Sequence, residues 1–133
     1  MSERDATALP QCVLFGEELV GSATLADLER CQQALAAGGD TARIVAVGLA
    51  WLAKLANKNA DYGSAVWKPS KLAPEASLAT TIRVRMSDKV ERIESLLKSG
   101  AGPRVQDETL DDTIGDLGAY CLLYLARPSV DGN

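Results

Sequence analysis

Histidine is absent from the 133 residues. That removes the Ser-His-Asp and Cys-His nucleophile pairs, the usual His ligands of zinc and imidazole as acid or base. Any chemistry must therefore use carboxylates, Lys, Arg or Tyr. Cysteine is scarce, and Cys12, Cys31 and Cys121 are far apart and match neither C-x-x-C nor a disulfide framework. They read as small buried apolar residues in a reducing compartment. One Phe, two Trp, three Tyr and four Ile stand against 20 Ala and 18 Leu. The apolar fraction thus consists of helix formers rather than the β-branched and aromatic residues that fill strands, which predicts an all-α fold. An excess of positive charge is also lacking: 14 Lys and Arg against 18 Asp and Glu give a net charge of -4. Such a field does not draw the protein to a polyphosphate, so direct nucleic-acid binding is not expected. The longest apolar stretch, 44–55, is too short to span a bilayer, and the first five residues lack the basic start of a signal peptide. A soluble, cytoplasmic protein with no membrane partner is expected.

A chain of this length fits one domain. The pattern predicts an N-terminal arm over 1–23, a single helical domain over 24–127 and a tail over 128–133, the domain being a small bundle of about four helices. The arm contains Pro10, Gly16 and Gly21 and a strand-like Cys12-Val-Leu-Phe15. Thr24 with Asp27 forms a capping-box pattern, and Leu25, Leu28, Cys31 and Leu35 recur at helical spacing up to Gly38-Gly39. A second helix follows from Asp40 or Thr41 to Tyr62. Its residues Ile44, Val45, Val47, Leu49, Trp51, Leu52 and Leu55 are apolar nearly all round, so it should be the most buried. Prolines make residues 67–74 a loop. A third helix is predicted from about Glu75 to Lys98, with Ile82, Met86, Val90, Ile93 and Leu97 as its core stripe. The last helix should begin at Asp107 or Thr109, run to about Arg127, and bury Leu110, Ile114, Leu117, Cys121 and Tyr124.

Three clusters carry candidate chemistry. Glu108, Asp112, Asp116 and Tyr120 recur every four residues, so they stay on one side of the last helix. Like charges at this spacing repel by roughly 0.2–0.5 kcal/mol per pair in an isolated helix, a penalty that a bound cation would reverse. Acids in the first turns also suit the helix dipole, which accounts for Asp107, Glu108, Asp111 and Asp112 but not for Asp116. The third helix offers Arg83, Asp88, Lys89, Glu91 and Arg92, where acids and bases share one flank. Two helices that project carboxylates toward a common seam suit Mg²⁺, with the cations beside substrate phosphates. A solvated Asp/Glu–Arg/Lys ladder is the plain alternative. At the end of the second helix, Asn59, Asp61 and Tyr62 replace a solid apolar run and could read a base or sugar, although Asn and Gly also serve as ordinary helix stops.

In order and spacing, Asn59-x-Asp61-Tyr62-Gly63, Arg83-x-x-x-x-Asp88-Lys89-x-x-Arg92 and Asp107-Glu108-Thr109-x-x-Asp112-Thr113-x-x-Asp116-Leu117-x-x-Tyr120 resemble a helical family of phages and bacteria named nucleotide modification associated domain, type one. The resemblance covers roughly 43–127. That family is in turn similar to the all-α, MazG-like nucleoside triphosphate pyrophosphohydrolases. Asp112-Thr113-Ile114-Gly115-Asp116 is similar to their E-E-L-G-D motif, with Thr113 at the second acid, and Asp88 and Glu91 stand for their three-glutamate helix.

The resemblance implies a Mg²⁺-dependent hydrolase that converts a ribo- or deoxynucleoside triphosphate to the monophosphate and pyrophosphate. It assigns Asp88, Glu108, Asp112 and Asp116 to the metal, Glu91 and Glu108 to catalysis, and Asn59, Asp61, Tyr62, Arg83, Lys89, Arg92 and Tyr120 to the nucleotide. A non-catalytic nucleotide-binding module, or an accessory protein of nucleotide modification, is the alternative. The wide apolar faces of the first two helices, and by resemblance the dimers and tetramers of similar enzymes, predict a homo-oligomer.

Overall fold

The computed structural model describes residues 23–62, 65–99 and 109–128. Among them are four α-helices and no strand: α1 is Leu25–Ala37, α2 is Gly39–Tyr62, α3 is Leu78–Ser99 and α4 is Leu110–Leu125, with a short 3₁₀ turn at Ala65–Trp67. The expected all-α class is the observed one. Residues 1–22, with Cys12-Val-Leu-Phe15, and residues 129–133 lie outside the described residues, as do Asp107 and Glu108. The chain divides into two compact units between Gly63 and Ser64.

In the first unit, Thr24 is extended (φ -118°, ψ 169°) and its hydroxyl accepts from the Asp27 N–H at 3.2 Å. The Asp27 carboxylate accepts from the Thr24 N–H at 3.0 Å, completing the capping box that the spacing predicts. Gly38 and Gly39 then take φ values of 76° and 80°, a left-handed backbone that side-chain-bearing residues avoid, and α1 stops there. α2 starts at once, with Arg43 paired to Asp40 one turn in, and the two helices pack on each other.

Ala34 is the one fully buried residue among the described residues of this unit. The expectation that the second helix is the most buried is therefore corrected: no described residue of α2 is fully buried, and Ile44 is 71% and Val47 65% exposed. One neighbouring helix covers one side of α2. At about 100° per residue, Val47 and Leu49 fall on opposite flanks, and a single partner cannot cover both.

The second unit is anchored early. The Trp67 indole N–H donates to the Leu123 carbonyl of α4 at 3.3 Å, tying the loop to the helix end. α3 begins at Leu78, three residues later than predicted, because the Ala76 N–H closes a turn on the Ala73 carbonyl and Ser77 is the residue that caps the helix. Its hydroxyl accepts from the Thr80 N–H at 3.1 Å. α4 is capped by Thr109, whose hydroxyl accepts from the Asp112 N–H at 3.0 Å while the Asp112 carboxylate accepts from the Thr109 N–H at 3.2 Å. α4 ends at Leu125 rather than near Arg127. Pro128 disfavours a helical conformation at Arg127, whose guanidinium instead donates to the Tyr124 carbonyl at 2.7 Å and stacks over the Tyr124 ring.

α3 and α4 pack side by side around Ala79, Ile82, Leu96 and Thr113. Both predicted core stripes hold in part, with Met86 and Ile93 of α3 and Leu110, Leu117, Cys121 and Tyr124 of α4 half-buried. On α3, Ile82 is buried as expected, but Val90 and Leu97 are exposed and Leu96 is buried in their place. On α4, Ile114 is exposed and Thr113 is the buried residue. The line facing α4 runs Ile82, Lys89, Leu96 at seven-residue spacing, the period at which a helix returns to the same side. A lysine occupies its middle.

Candidate functional site

Lys89 Nζ lies 3.4 Å from Asp116 Oδ2, so the charged flanks of α3 and α4 meet across the seam. The two side chains are 31% and 47% exposed, at the border between the apolar packing and solvent. Taking Ile82 as the centre of the packed face and about 100° per residue, Arg92 falls on the flank of α3 toward which Lys89 leans. Asp112 and Asp116 lie on the matching flank of α4, and Tyr120 follows one turn on, half-buried. The opposite flank of the same helix pair exposes Val90, Leu97, Ile114 and Leu125 beside Arg83.

Helix geometry places four of the predicted site residues, Lys89, Arg92, Asp112 and Asp116, along one face, while Asp88 lies about 120° round α3 from Ile82 and is exposed. Within the second unit, Glu91 and Arg83 are not brought there. Glu91 follows Ile82 by nine residues, which places it on the far side of α3, where it is exposed. Arg83 falls on the flank with Val90 and donates to the Thr80 hydroxyl at 3.3 Å. Asn59 is half-buried in α2, and Asp61 and Tyr62 are its last two residues; all three belong to the first unit. Glu108 lies outside the described residues.

Two of the site's groups have structural roles that sequence spacing alone missed. Asp112 is the acidic half of the α4 capping box, so one of its oxygens is engaged by a backbone N–H. Thr113 is 1% exposed and its hydroxyl donates to the Thr109 carbonyl at 3.1 Å. An acid at this position would be buried in the packing without a partner, whereas the threonine hydroxyl satisfies itself on its own helix.

Among the described residues no three carboxylates or thiols come together to hold a metal ion. A cage built wholly of protein ligands does not fit these residues. One or two carboxylates with phosphate oxygens and water is the shell Mg²⁺ commonly takes beside a nucleotide, and Asp116 with Asp112 suits that smaller role.

No helix among the described residues is long and apolar enough to cross a membrane. Compared with known proteins, the chain matches no family model, no curated protein and no solved structure.

Proposed function

We propose that the charged face of α3 and α4 binds the phosphates of a nucleoside triphosphate carried as its Mg²⁺ complex, and hydrolyses it to the monophosphate and pyrophosphate. The observation that carries this reading is the Lys89–Asp116 contact, which brings the basic and acidic flanks of two helices to one seam. Lys89 and Arg92 supply positive charge for phosphate oxygens. Asp116, freed from Lys89 when the ammonium turns to phosphate, faces the cation that the substrate brings. With no His and no P-loop in the sequence, a water attacking phosphorus directly is the simplest route, and a carboxylate of this face accepts its proton. The choice of the α-phosphorus follows from the likeness of Asp112–Asp116 to the pyrophosphohydrolase motif.

The small number of gathered carboxylates favours a second reading, in which the same face captures a nucleotide without turning it over. Incubation with a panel of ribo- and deoxynucleoside triphosphates and Mg²⁺ separates the two. Monophosphate and pyrophosphate are expected. A raised melting temperature without products supports the binding module, and a melting temperature unmoved by every nucleotide overturns both.

A further inference from the structure

Arg85 is a cation of α3 that the resemblance leaves out and the helix geometry brings in. Measured from Ile82 at about 100° per residue, Lys89, Arg85 and Arg92 lie about 20°, 60° and 80° round α3 in one direction, whereas Arg83 lies about 100° round in the other. The contact of Lys89 with Asp116 marks the first direction as the one that meets the acidic flank of α4. Arg85, Lys89 and Arg92 therefore form a line at i, i+4 and i+7 that rises about 10 Å along the seam. Like charges at these spacings repel, a cost that a bound anion would reverse. Lys89 is held by Asp116, and Arg92 is half-buried. Arg85 is exposed, and although Asp88 follows it by three residues, no ion pair or hydrogen bond engages its side chain among the described residues.

We infer that Arg85, and not Arg83, is the arginine that holds the phosphate chain, and that it makes this face select a chain of phosphates over a single one. The inference rests on the nucleotide reading and adds a residue to it. A single phosphate is too short to meet the cations at both ends of a line of about 10 Å, whereas consecutive phosphates run along it. Arg85 therefore adds to the binding of a polyphosphate alone. Its planar guanidinium offers paired N–H donors to phosphate oxygens, a geometry that a lysine does not supply. Because the side chain has no partner to give up, engaging a phosphate breaks no bond within the protein. Arg83 already donates to the Thr80 hydroxyl on the flank away from Asp116. The expected consequence is that a triphosphate is held more tightly than its monophosphate product.

Titration calorimetry on the full chain in Mg²⁺, with inorganic tripolyphosphate and inorganic phosphate as probes, separates phosphate contacts from any contact with base or sugar. The unmodified chain should bind tripolyphosphate more tightly than phosphate. Arg85→Gln should weaken tripolyphosphate about ten-fold, the scale of one charge-assisted hydrogen bond, and leave phosphate within about two-fold. Lys98→Gln removes the same charge about 160° round the helix from Ile82 and should change neither. Arg85 and Lys98 are exposed and glutamine is a good helix former, so the urea midpoints should not move. If Arg85→Gln binds tripolyphosphate like the unmodified chain, or if Arg83→Gln loses it instead, the inference is overturned while the nucleotide reading stands. Equal losses in Arg85→Gln and Lys98→Gln overturn it too, because they report net charge alone. Tripolyphosphate binding that depends on Arg85, in a chain whose melting temperature no nucleotide moves, supports the role of Arg85 and overturns the nucleotide reading. A chain that binds neither tripolyphosphate nor nucleotide overturns both.

Discussion

Asp112 serves the helix and the candidate site at once, and the two roles separate by mutation. Thr109→Ala removes the other half of the capping box without touching a carboxylate, and should cost about 1 kcal/mol. Asp112→Asn keeps the size and weakens the same cap, so its melting temperature should fall no further than that of Thr109→Ala. Loss of the nucleotide-induced melting shift should be confined to Asp112→Asn and Asp116→Asn. If Thr109→Ala loses that shift equally, the face responds to helix fraying and the carboxylates are not its ligands. Lys89 gives the complementary case. Its bridge to Asp116 is partly exposed and contributes at most about 1 kcal/mol, while its stem lies in the line of Ile82 and Leu96. Lys89→Met should therefore keep or raise the unfolding midpoint in urea and abolish nucleotide binding. A large drop in the midpoint would make Lys89 a structural residue instead.

Helix existence and helix ends were legible where the signal is local. Thr24 with Asp27 and Gly38 with Gly39 lie within a few residues of the backbone groups they satisfy, and both ends of α1 fall where those residues predict. Helix faces were less legible, because α3 and α4 each carry two apolar stripes and periodicity cannot rank them. The choice was made by Lys89 and Thr113, residues that an apolar count omits, and the same omission hid the burial of Thr113 behind its motif role. Thr113 now makes a sharp prediction. Thr113→Val removes a hydroxyl whose acceptor, the Thr109 carbonyl, still receives the residue 113 N–H at 3.1 Å, so stability should hold or rise slightly. Thr113→Glu restores the acid of the resembled motif but places it in the packed seam, where an unpaired charge costs several kcal/mol. Thermal melting of the two variants should differ in sign or strongly in size; similar melting would mean that position 113 reaches solvent.

Taken as wholes, the two units differ in how they hold together. The second buries Ala79, Ile82, Leu96 and Thr113 between its helices and pins its loop with the Trp67–Leu123 hydrogen bond, whereas the first buries Ala34. Within the described residues no buried side-chain nitrogen or oxygen lacks a partner, so the contrast is one of apolar cover and not of unsatisfied polar groups. Local opening is governed by that cover, since amides open in units whose free energy follows the buried contacts they share. Hydrogen exchange followed by mass spectrometry should therefore show α3 and α4 protected to the same degree at every protein concentration. Protection of α1 and α2 should be lower, because fewer buried apolar contacts hold that unit together. Equal protection of both units would mean that the exposed apolar flanks of α2 are covered in solution. Faster exchange in α3 and α4 than in α1 and α2 at high dilution would contradict the ordering of buried contacts itself.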